Sequence, residues 1–127
     1  MNHRHFLSVA EDLELAGLLW RPEIGDEVTD KKEKELISIF VDSQGLSTEE
    51  LRSSFLWLPT VEQIVMQFEA RQAILFHAGF ELSEKAMYYK TVIQAPVGHI
   101  EKKAESLRLS LGLALRELLL SDSKALN

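Results

Sequence analysis

Cysteine is absent from this 127-residue chain, which excludes a disulfide framework, thiolate metal sites and thiol nucleophiles together. No uncharged apolar run approaches the roughly 18 residues needed to cross a bilayer, so a membrane-spanning role is not expected. The sequence has no GxSxG elbow, P-loop, GxGxxG turn or HExxH pair, and so lacks the commonest signatures of hydrolases, nucleotide-binding enzymes and zinc proteases. Basic charge is scarce: 14 Lys and Arg stand against 20 Asp and Glu, and no Lys/Arg run is interleaved with aromatics, which argues against a nucleic-acid partner. Acids at Glu11, Asp12 and Glu14 are foreign to a signal peptide, so a cytoplasmic location is expected.

What is present is globular. The chain is 46% hydrophobic and 27% charged, near ordinary values for a packed domain, and its length supports a single domain over 1–127. Charge is uneven, since residues 1–30 hold seven acids and two bases while residues 85–127 hold four acids and seven bases. An acidic front of this kind can meet a basic protein surface.

The periodicities spell α+β. Phe6, Val9, Ala10, Leu13, Ala16 and Gly17 share a helical face over 5–19, and Trp20-Arg21-Pro22 stops that helix. Residues 24–30 and 36–42 read as two strands joined by the Lys31–Glu35 charge run. Ser47 and Glu50 form a helix-start signature for a short helix, and residues 55–59 then become extended. Thr60 caps the next helix, whose stripe is Val61, Ile64, Val65 and Phe68. From residue 74 a long continuation of that helix competes with a hairpin. Alternation in 74–82 and 87–94 around Ser83-Glu84-Lys85 favours the hairpin and sends Tyr88 and Tyr89 to opposite faces. After Pro96-Val97-Gly98 the leucine-rich segment 99–121 reads as one long helix. The expected architecture is a small antiparallel sheet of two hairpins packed against N-terminal, middle and long C-terminal helices. Leucines cover more than half of the last helix, so a homodimer through Leu107, Leu111, Leu115 and Leu118 is expected to bury the surplus.

Chemistry is sparse. His3 and His5 have the spacing of a metal clip but lie at the terminus, and Asp26, Glu27 and Asp30 read as acids beside a turn, so no metal or cofactor is expected. His77 falls in an apolar segment, while His99 is expected at the start of the last helix, where the dipole favours the neutral imidazole. Trp20-Arg21, Trp57, Tyr88-Tyr89-Lys90 and Arg108 supply stacking faces and cationic donors, the equipment for binding a planar or anionic ligand. The expected ligand-binding set is Trp57, Tyr89, His99 and Arg108.

Two segments, Trp20-Arg21-Pro22-Glu23-Ile24-Gly25-Asp26 and Trp57-Leu58-Pro59-Thr60, resemble a W-x-P-x-x-G-D … W-L-P-T layout in small uncharacterised proteins of phages, prophages and bacterial genomes. The resemblance implies no known activity and no site residues; some phage proteins of this size sequester nucleotide immune signals or block host defence proteins. The reading as a whole is a non-enzymatic, self-associating protein that binds a small anionic ligand or a protein partner. The alternatives are that counter-defence role and an enzyme using His77 or His99 as general base.

Overall fold

The computed structural model describes residues 3–125, with side chains from 4 to 122. The chain is α+β, with four helices and two separate three-stranded antiparallel sheets. Each expected hairpin is present, and each gains a third strand. Among the described residues no helix is long and apolar enough to cross a membrane.

Helix α1, His3–Leu15, buries Phe6, Val9, Ala10 and Leu13. It ends four residues short of the expected position because Gly17 adopts φ +102°, the left-handed geometry that closes a helix. Leu18 N then donates to Leu13 O and Gly17 N to Glu14 O, the paired bonds of a Schellman cap. Gly17 is therefore the stop, not part of the apolar face.

Strands β1, Glu27–Asp30, and β2, Ile37–Ile39, form the first hairpin, with Val28 opposite Ser38. Helix α2, Thr48–Ser54, opens with the anticipated reciprocal cap: Glu50 N donates to Ser47 Oγ, and Ser47 N to Glu50 Oε1. The extended segment after it is strand β3, Phe55–Trp57, which pairs with the other side of β1, Val28 opposite Trp57. Alternation along β3 splits the sheet's two faces. Leu56 enters the main core, Phe55 packs on a second cluster of Trp20, Val28, Phe40 and Leu51, and Trp57 touches both.

Helix α3, Val61–Ala70, is capped by Thr60 and stops well short of the hairpin that follows. Strands β4, Ile74–Leu82, and β5, Met87–Ala95, pair antiparallel with a bulge between Leu75 and His77. The segment expected to begin the last helix is instead a strand, β6, Gly98–Ala104, which pairs with β5 through a tight turn at Pro96-Val97. Gly98 at φ +134° makes that turn available. Beyond it Ile100 is buried while His99, Glu101 and Lys103 are exposed, so period-two alternation sets the conformation here. Helix α4, Leu107–Ala125, starts eight residues later than expected; Ser106 caps it, its Oγ accepting from Leu109 N at 3.1 Å.

α4 lies against α1, α3, β5 and β6. Leu111, Leu115 and Leu118 are fully buried by these neighbours and Leu107 is half-buried. Leu111, Leu115 and Leu118 therefore offer no surface to a second copy, whereas Leu107 keeps part of its surface open. Helices α1 and α4 approach closely at Gly112, where an added Cβ would stand 3.1 Å from Val9 Cγ1 and 3.2 Å from Phe6 Cε1.

A candidate binding cleft between α3 and the α1–β1 connection

A cleft of about 630 Å³ lies between α3 and the chain leading from α1 to β1, within the size range typical of small-molecule sites. Its base is built on Asp26, which is buried. Asp26 Oδ2 accepts from Trp20 Nε1 at 2.9 Å and from Glu23 N at 3.0 Å, and Oδ1 accepts from Gln63 Nε2 at 2.8 Å. Gln63 is held from its other end by the α3 cap, since its Oε1 accepts from Thr60 N at 2.9 Å. One amide thus spans the helix start and the buried carboxylate, which fixes its orientation. Three donors on Asp26 satisfy a charge that would otherwise be costly to bury.

Trp57 lines the cleft, and its indole Nε1 is buried without a hydrogen-bond partner among the described residues. An orphaned donor of this kind costs about 1–3 kcal/mol, and native structures keep few of them. Arg21 and Arg71 line the same cleft. Neither forms an ion pair among the described residues; Arg71 Nη1 is steadied by Gln67, and Arg21 is exposed. Two guanidiniums that form no ion pair among the described residues and a tryptophan with an unpartnered indole N–H therefore line one cleft. Glu23, also exposed, is the acid at the mouth.

Of the four expected ligand residues, the structure brings only Trp57 to this cleft. Arg108 is a structural clamp: its Nε donates to Pro59 O at 2.8 Å and its Nη2 to Leu58 O, while Nη1 pairs with Glu27 at 2.9 Å. Its Cζ also lies 4.3 Å from the Phe6 ring centroid. Tyr89 packs on Phe80, ring centroids 5.1 Å apart, on the face of β5 that carries Thr91 and Ile93. His99 lies on β6 opposite Gln94, on the other face. The expectation that His99 sits in a helix-dipole field is corrected by that strand, because α4 begins only at Leu107.

The other candidates are also placed in structural roles. His77 lies 3.1 Å from Glu81 on the exposed face of β4, beside Lys90. His5 bonds Glu105 at 2.6 Å, and the side chain of His3 lies outside the described residues. The three acids near β1 diverge: Asp26 anchors the cleft, Glu27 meets Arg108, and Asp30 Oδ1 accepts from Lys32 N. Arg21 is legible beside Trp20 in the sequence, whereas Gln63 and Arg71 join Trp57 in one cleft only through the fold. The W-L-P-T segment was the available signal, because Thr60 capping α3 is what turns Gln63 toward Asp26. No protein-family model, curated protein or solved structure matches this chain.

Proposed function

We propose that the protein acts by binding, without turnover, and takes a planar anion into the cleft lined by Trp57, Arg21 and Arg71. The observation that carries this reading is a buried Trp57 Nε1 with no hydrogen-bond partner among the described residues, in a cleft also lined by two guanidiniums that form no ion pair there. A planar ligand bearing phosphate or carboxylate supplies an acceptor for the indole and charge for the arginines, and its ring gains from stacking on a guanidinium or indole face. Asp26 is occupied by three donors and no histidine lines the cleft, so the site lacks a poised acid–base pair. A nucleotide has the required chemistry, which is compatible with the alternative role of a phage-type protein that sequesters nucleotide signals.

Isothermal titration with a nucleoside monophosphate, the matching uncharged nucleoside and inorganic phosphate tests the reading. Saturable binding of the monophosphate, much weaker binding of the other two, and a loss of at least about tenfold in the Arg21→Ala, Arg71→Ala double variant are expected. Affinity unchanged in that variant, or no saturable binding by the monophosphate, would overturn it.

A further inference from the structure

Strand β4 is the outer strand of the sheet β4-β5-β6, so one whole side of its nine-residue backbone pairs with no strand. Sheet edges are normally guarded by charge, brevity or proline. The opposite edge, β6, carries Glu101, Lys102 and Lys103 in seven residues, and the outer strands β2 and β3 are three residues each. β4 is nine residues long, holds no proline and carries a single acid, Glu81; its one guard is the bulge at Leu75/His77, which leaves His77–Leu82 regular. Its apolar side chains are left in solvent, Phe76 at 64%, Phe80 at 53% and Leu82 at 70% exposed, with Met87 across the turn at 72%.

The order of residues along this edge is self-complementary. A two-fold axis through Gly79, running β4 antiparallel to its copy, places His77 opposite Glu81 of the second subunit on one face. On the other face it places Ala78 opposite Phe80. His77 and Glu81 already share a face within one chain, as their 3.1 Å contact shows, and the bulge at Leu75/His77 bounds the regular span, which runs from His77 onward. Directly opposed unlike polar groups and apolar pairs are the units that stabilise antiparallel strands. An isologous two-fold requires one patch to complement itself, which this strand satisfies from its own sequence.

We infer that β4 is a self-association edge, and that two copies of this chain pair β4 to β4 about Gly79 to form one continuous six-stranded sheet. The occupant is a second copy because the His77/Glu81 spacing matches itself across that axis. This goes beyond the ligand reading and does not depend on it, since β4 contributes no residue to the cleft.

The test is the solution mass of the intact chain, by sedimentation and native mass spectrometry, for the wild type and for His77→Glu and Glu81→Lys. The wild type is expected as two subunits. His77→Glu sets two pairs of like charges across the axis, and Glu81→Lys removes both acceptors, so each weakens self-association by roughly tenfold. An equimolar mixture recovers two-subunit mass, because Glu at 77 then faces Lys at 81 across the axis; that recovery also shows both variants are folded. A wild type that remains one subunit at every concentration would overturn the inference. So would variants that associate as the wild type does, or a mixture that stays monomeric.

Discussion

Arg108, in the first turn of α4, lies 2.9 Å from Glu27 Oε1 on β1, and so ties the long helix to the sheet on the far side of the core. The same guanidinium donates to the carbonyls of Leu58 and Pro59, where β3 turns into α3. Both partners of the ion pair are largely buried, at 15% and 25% side-chain exposure. Arg108→Ala strands two carbonyls and a carboxylate, and is expected to lower stability by about 3 kcal/mol in urea denaturation. The folded fraction of that variant should keep wild-type ligand affinity, because Arg108 does not line the cleft.

Trp57→Phe separates the cost of an empty donor from its use. Without ligand the variant loses an unsatisfied N–H and keeps most of the ring, so its melting temperature should equal or exceed that of the wild type. Affinity for a nucleoside monophosphate should fall by about tenfold, a single hydrogen bond to a charged acceptor. Titration calorimetry and thermal melting on the same samples check both halves.

Leu111→Ala opens a cavity where α4 meets the rest of the core, and should cost about 2–5 kcal/mol. Its sedimentation behaviour should match that of the wild type at concentrations where both are folded. A helix-mediated dimer would instead lose mass.

Gly112→Ala sets two effects against each other. Alanine favours a helix interior by about 1 kcal/mol over glycine. The new methyl, however, meets Val9 and Phe6, both buried, and Phe6 is pinned beneath the Arg108 guanidinium. Neither neighbour has room to give, and overpacking costs about 1–3 kcal/mol, so net destabilisation of about 1 kcal/mol is expected in chemical denaturation.

The parts of the fold that were legible in the sequence are those written in short-range signals. Ser47 with Glu50 and Thr60 ahead of the Val61 stripe are reciprocal caps complete within four residues, and the β4–β5 alternation is visible over 74–94. Strand β6 escaped because its inward position between Ile100 and Ala104 is filled by Lys102, whose ammonium reaches Glu117 on α4 at 3.1 Å. A lysine there conceals the period-two pattern, and the leucines beyond draw the helix backward. Arg108 was read as a ligand residue for a related reason: its partners, Glu27, Leu58 and Pro59, are remote in sequence, so nothing local shows that its donors are occupied. The cleft itself is assembled by the pairing of β3 with β1, a non-local event that brings Trp57 beside Asp26 and the side chains of α3.

Both tryptophans of the chain belong to this region, Trp57 on the cleft wall and Trp20 hydrogen-bonded to the Asp26 at its base. Their emission therefore reports on the region of the proposed cleft. Trp20 lies edge-on to Phe40 in an apolar cluster, whereas the indole N–H of Trp57 has no acceptor among the described residues. Occupancy therefore carries its own optical signature: a change in intensity or wavelength of intrinsic fluorescence, dominated by Trp57, with no label attached. A ligand library can be read directly against the unmodified chain.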